Sequence, residues 1–104
     1  MRRGEIWWAQ LPGPAARRPV LLLTRNAAYA VRTSVTVAPL TTTIREIPVE
    51  VSLGPEHGLP RECVVNVDEI QTIRKERLIR LLTALSAEVM VQVDQALKFA
   101  LGLH

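Results

Sequence analysis

The segment Ser34-Val35-Thr36-Val37-Ala38-Pro39-Leu40 decides the fold class. Its β-branched side chains alternate with others over a length that suits a strand. Working outward, the pattern recurs on both sides. Upstream, Pro19-Val20-Leu21-Leu22-Leu23-Thr24 is a continuous apolar run, and its length and leading proline predict a strand buried on both faces. Residues 5–11 alternate in part and stop at Pro12-Gly13-Pro14, where prolines lack the ladder N–H. Downstream, residues 47–53 alternate cleanly, which predicts Ile47, Val49, Val51 and Leu53 on one face. A turn-rich loop follows over 54–60, and β character resumes at Cys63-Val64-Val65-Asn66-Val67 and at Glu69-Ile70-Gln71-Thr72-Ile73. Residues 74–82 suit a short helix or a strand equally.

The C-terminal segment changes period. Ser86 is a candidate N-cap, and Glu88 in the first turn complements the helix dipole. Val89, Val93, Leu97 and Ala100 repeat at helical spacing with Met90 and Leu101 beside them, and Gly102 can stop the helix. Five or six short strands followed by one amphipathic helix predict a mostly β (α+β) fold: a small, strongly bent antiparallel sheet or barrel with the helix packed on it. With 104 residues and neither repeats nor a linker, the expectation is one domain over residues 1–104. Aromatic residues make up only 4% of the chain, so its core has to be aliphatic.

Several function classes lose support at once. No phosphate-binding glycine loop, dinucleotide fingerprint or HExxH motif is present, and the two histidines and one cysteine form no zinc-ligand pattern. No metal or cofactor is therefore expected. No apolar run approaches a membrane span, so a cytoplasmic protein is expected. The formal charge of +3 suits a polyanionic partner, although many small proteins carry a similar excess.

Placement of the charge says more than its sum. Arg17 and Arg18 stand before Pro19, which biases Arg18 toward extended backbone at a loop-to-strand junction. A guanidinium there can make two hydrogen bonds to one phosphate, and a solvated pair explains the spacing as well. Thr41-Thr42-Thr43 can donate to phosphate oxygens or form an ordinary turn. Arg74, Lys75, Arg77 and Arg80 read as a solvated face or a phosphate track. Trp7 and Trp8 would face opposite sides of a strand, one in the core and one free to stack or to join an interface. His57 reads as an exposed loop histidine, Cys63 as a small core hydrophobe, and Asp68 and Glu69 as acids pointing apart on a strand.

Taken together, the residues resemble the MazF/PemK family of toxin endoribonucleases. The resemblance runs through Arg3-Gly4-Glu5-Ile6-Trp7, Arg18-Pro19-Val20-Leu21-Leu22, Val37-Ala38-Pro39-Leu40-Thr41, Gly58-Leu59-Pro60-Arg61-Glu62-Cys63-Val64-Val65 and Asp68-Glu69-Ile70-Gln71-Thr72-Ile73, with Leu85-Ser86 leading into the terminal helix. It implies an SH3-like barrel of five to seven short strands with a C-terminal helix, acting as a homodimer. It further implies metal-independent cleavage of single-stranded RNA (mRNA, rRNA or tRNA) through attack by the 2′-OH. Control by a small acidic MazE-like antitoxin is implied too.

By the same resemblance Arg18 and Thr41 are the catalytic pair. Arg17, Asn26, Thr42, Arg45, Asp68 and Gln71 are candidates for binding RNA or organising the site. Residues 12–17 are shorter than the G-S-E-Q loop of many members and lack its glutamate. Gln71 stands where D-Q-x-R-T has arginine, and Asn66 where some members have one. An alternative on the same fold is a non-catalytic toxin that poisons DNA gyrase by binding it.

Overall fold

A computed structural model of the chain describes residues 1–13 and 17–104. The described residues form strands β1 (Glu5–Gln10), β2 (Arg17–Leu22), β3 (Ser34–Thr41), β4 (Glu50–Leu53), β5 (Cys63–Asn66), β6 (Gln71–Arg74) and β7 (Leu78–Ala84), followed by helix α1 (Ala87–Leu101). This is the mostly β architecture with a terminal helix that the sequence predicts. The expected turn at Pro12-Gly13-Pro14 lies partly outside the described residues.

Every described pairing is antiparallel, and the strand order is β4-β5-β3-β2-β1-β7 with β6 also on β3. Strand β3 holds the sheet together. Along one edge it pairs with β2, from Val20↔Pro39 to Leu22↔Val37. Along the other, residues 34–37 pair with β6, and Leu40 and Thr41 pair with β5. Pro39, with no N–H to donate, falls where β3 passes from β6 to β5.

The bend creates two apolar clusters, one on each side of β2. Ile6, Leu21, Ala38, Leu40, Val51 and Val65 pack beneath α1 against Met90, Val93 and Ala96. Ala9, Val20, Leu22, Val35, Val37, Ile73 and Leu78 form the second cluster. Alternation along β2 sends Leu21 into one cluster and its neighbours into the other, so the unbroken apolar run is buried on both faces.

Helix α1 begins and ends as expected. The Ser86 hydroxyl accepts the Val89 N–H at 3.3 Å, and Gly102 closes the helix in the left-handed conformation at φ 68°. The Arg3 guanidinium ties α1 to the sheet by donating to Asp94 Oδ1 at 2.6 Å and to the Leu23 carbonyl at 2.9 Å. No described helix is long and apolar enough to cross a membrane.

Some expectations are corrected. Ile47 is exposed because Pro48 and Val49 turn the chain and β4 starts only at Glu50, so the buried face is Val49, Val51 and Leu53. Leu101 is exposed, and the smaller Ala96 takes the place against the sheet. Residues 74–82 resolve into a 3-10 turn at Lys75–Arg77 followed by β7. Asp68 and Glu69 lie in a 3-10 turn at Val67–Glu69 instead of on a strand, and both are exposed. His57 is half-buried, with Nδ1 accepting the Gly54 N–H at 3.1 Å, because it closes its own loop.

Candidate nucleic-acid interface

Two features meet at one end of the sheet. The first is the pair Arg18 and Thr41. Continuing the β2–β3 register two residues past Val20↔Pro39, within the bounds of both strands, sets Arg18 opposite Thr41. Neighbouring strands lie about 4.8 Å apart. Arg18 is half-buried and Arg17 exposed, and among the described residues neither forms an ion pair. Thr41 is half-buried, and its hydroxyl accepts the Thr43 N–H at 3.1 Å, which leaves its proton free to donate outward.

The second feature is a cavity of about 660 Å3 beside that pair. Trp8 and Pro19, partners across β1 and β2, form one wall. Arg80 stands directly across from Trp8 on β7, and Leu40, Thr41 and Thr42 line the side where β3 ends. The loop Gly58-Leu59-Pro60-Arg61 and Cys63 close the remaining side. Gly58 holds φ 86°, and a Cβ there would lie 2.6 Å from Thr83 Oγ1. That close approach, with the Thr83 hydroxyl donating to the His57 carbonyl at 3.0 Å, seats the loop against β7. Burial raises the Cys63 thiol pKa, and the Glu56 carboxylate adds to the shift, so Cys63 serves as inert wall.

The expected site residues divide by position. Leu40 and Thr42 line the cavity with Pro19, whereas Arg18 and Thr41, each one residue off, stand by strand alternation on the other face, with Thr41 at the cavity's rim. Arg45 is exposed in the β3–β4 loop, where its N–H and that of Glu46 donate to Glu50 Oε1 at 2.9 and 3.1 Å. Asn26 leaves the far end of β2, about 13 Å or more from Arg18 by strand rise, and its side chain accepts the Arg3 N–H at 2.6 Å.

Gln71 pairs with Val37 on β3, and Asp68 donates its N–H to Asn66 Oδ1 at 2.9 Å. These two and Asn26 are not brought to the Arg18 end of β2. The basic run also divides. Lys75 and Arg77 are spent on backbone carbonyls of Tyr29 and Gln10, Arg74 pairs with Glu76, and only Arg80 reaches the cavity.

Sequence reasoning missed Arg61 and the particular place of Arg80. Only strand order sets β7 beside β1, so nothing local marks Arg80 as the partner of Trp8. Among the described residues, no group of three or more His, Cys, Asp or Glu side chains gathers. The donors available at this end are guanidinium and hydroxyl groups, suited to an anionic ligand with an apolar or aromatic body.

Comparison with known proteins gives a consistent result. The family described as PemK-like, MazF-like toxin of type II toxin-antitoxin system matches residues 2–101. "Probable endoribonuclease MazF2" of Mycobacterium tuberculosis is 39% identical over 103 residues, covering 98% of this chain and 99% of that protein. Among solved structures, Mycobacterium tuberculosis toxin MazF-mt6 superposes with a TM-score of 0.89 at 37% identity, over 96% of this chain and 98% of that one. A mycobacterial structure described as an endoribonuclease in complex with its cognate antitoxin gives 0.88 at 33% identity, over 100% and 97%.

Proposed function

The chain belongs to the PemK/MazF family of type II toxin–antitoxin toxins, and from that membership we propose that it is an endoribonuclease cutting single-stranded RNA at the Arg18–Thr41 end of the sheet. The observation that supports this reading is the β2–β3 pairing, which ends at Val20↔Pro39, two residues short of Arg18 and Thr41, and so leaves a guanidinium and a hydroxyl on adjacent strands at one end of the sheet. In the proposed reaction the ribose 2′-oxygen attacks the adjacent phosphorus, and the bond from phosphorus to the 5′-oxygen breaks. The 2′-OH gives up its proton and the departing 5′-oxygen takes one, leaving a 2′,3′-cyclic phosphate and a 5′-OH.

RNA supplies the nucleophile, so the protein has to orient the attack and stabilise charge on the phosphorane. Arg18 is suited to the second task, because its planar fork matches two phosphate oxygens. Thr41 would donate to a third oxygen. RNA cutting of this kind in the cytoplasm would slow translation and growth.

Cleavage is expected to proceed undiminished in EDTA and to leave a cyclic phosphate, as read by end-group analysis of a short labelled RNA. Loss of cutting on chelation, with recovery on adding a divalent ion, would overturn the mechanism. A homodimer is proposed on the same membership and on the apolar surface left by the described residues. Ile79 and Leu81 on the edge strand β7 are 44% and 48% exposed, and Phe99 on α1 is 64% exposed. Sedimentation should give twice the chain mass, and a monomer at micromolar concentration would exclude it. The proposed second partner is a small acidic antitoxin, whose titration should stop cutting.

A further inference from the structure

The loop between β3 and β4 is held by a single carboxylate. Both strands pair antiparallel with β5, which lies between them, so residues 42–49 have to cross β5 to reach the start of β4. Thr41 and Ser52 pair with the same residue, Val64, and Glu50 precedes Ser52 by two. By alternation Glu50 and Thr41 therefore stand on one face, opposite the Leu40, Val51 and Val65 layer beneath α1. From that face Glu50 Oε1 accepts two successive N–H groups of the crossing, those of Arg45 at 2.9 Å and Glu46 at 3.1 Å. Among the described residues, 44–47 donate no other hydrogen bond.

Two features make this tether costly to keep. Glu50 Oε2 is buried, and among the described residues it has no hydrogen-bond partner, so the two loop N–H groups are what compensates the carboxylate for lost water. Glu46 holds φ 56°, the left-handed region that side chains other than glycine adopt at a cost. Such strain persists only where the surroundings fix it. Residues 42–48 are exposed, so packing supplies little of that fixing. Successive N–H groups turned to one point form a concavity for an anion, and Glu50 fills it from within the chain.

We propose that Glu50 is a positioning residue for the cleavage reaction: it fixes the crossing loop and, through it, the Thr43 N–H that orients the Thr41 hydroxyl. Thr41 Oγ1 accepts that N–H at 3.1 Å, which restricts the directions left for its own proton. A loop released from Glu50 withdraws the Thr43 N–H, and the Thr41 hydroxyl then rotates away from the phosphate. Misplacing a reacting group by about 1 Å can cost about a hundredfold in rate. This role rests on the RNA-cleaving reading of Arg18 and Thr41 and adds the group that holds one of them in place. Glu50 touches no substrate in it.

Glu50→Ala is expected to lower kcat on a short labelled RNA by about ten- to a hundredfold, with KM changing less than about twofold. Glu50→Gln keeps an accepting oxygen without the charge, so its loss should stay under about tenfold. Adding Glu46→Gly to Glu50→Ala should restore much of the rate, because glycine adopts the left-handed turn unaided. A merely structural role at the start of β4 would not respond to residue 46. Hydrogen exchange at the Thr43, Arg45 and Glu46 amides should quicken in Glu50→Ala and slow again in the double variant. A thermal melt shows which variants are folded; should Glu50→Ala unfold, Glu50→Gln with and without Glu46→Gly carries the same comparison. Unchanged kcat in Glu50→Ala, a change confined to KM, or no recovery with Glu46→Gly would overturn the role and leave the endoribonuclease reading intact. A wild-type protein that cuts no RNA would sink that reading instead. Exchange would then decide the tether by itself, and an unaltered Thr43 amide in Glu50→Ala would overturn it.

Discussion

Arg18→Ala is expected to lower the rate of RNA cleavage by about a hundred- to a thousandfold, the range for removing one preorganised donor from a developing oxyanion. Arg18 is the second residue of β2, pairs with Ala9 on β1 and is half-buried. It belongs to neither apolar cluster, and among the described residues it forms no ion pair. Truncation therefore removes a charge proposed to face substrate and little packing, so the change in stability should stay within about 0.5 kcal/mol.

The two readouts separate chemistry from folding. Single-turnover cleavage should collapse while the melting curve barely moves. Arg18→Lys should recover part of the rate, because a point charge still attracts the phosphorane but lacks the two-pronged geometry. Cutting by Arg18→Ala at the wild-type rate would remove this residue from the reaction and leave Thr41 without its proposed counterpart.

Leu21→Ala should show the opposite separation. Leu21 is fully buried between Ile6 on β1 and Ala38 on β3, in the cluster that α1 covers with Met90, Val93 and Ala96. Strands hold it on two sides and the helix lies over it, so the site can relax only in part. The expected cost is about 3 kcal/mol, from lost transfer energy and the cavity left behind. For a chain of this size that lowers Tm by roughly 15 °C. It is a large share of the 5–15 kcal/mol that holds a typical domain together. Well below the new Tm the folded protein should still cut RNA at close to the wild-type rate, since Arg18 is three residues away on the same strand. A loss under about 1 kcal/mol, outside the usual range for a buried leucine, would show that the space collapses freely.

What the sequence disclosed and what it hid follow from the range of the interactions involved. Residues 34–40 and 20–22 announce strands because β-branched and unbroken apolar patterns are local. Ser86 and Gly102 announce the ends of α1 for the same reason. The alternation at 47–53 misleads over its first three residues, because a proline turn at Pro48-Val49 can carry the same apolar pattern as a strand.

In the candidate site, Arg18 and Thr41 stand out only through the family resemblance, because a solvated arginine pair before Pro19 and an ordinary threonine turn explain their local sequence as well. Their juxtaposition, and the convergence of Trp8, Arg61 and Arg80, depend on a strand order that brings β7 beside β1. Asn26 illustrates the converse. A motif-based assignment gives it no distance from Arg18, and the strand between them supplies one.

The dual membership of β3 bears on how such a protein can diversify. One beam carries β6 on its first half and β5 at its end, with β2 running alongside. The segments that border the candidate site at that end, the β3–β4 loop and the stretch from Gly58 to Arg61, are surface loops fastened at few points, among them the Glu50 carboxylate and the Thr83 hydroxyl. Changes there can reshape what is recognised without disturbing the register that aligns Arg18 with Thr41. On the proposed reading, chemistry would rest on the paired strands and selectivity on the loops that border them.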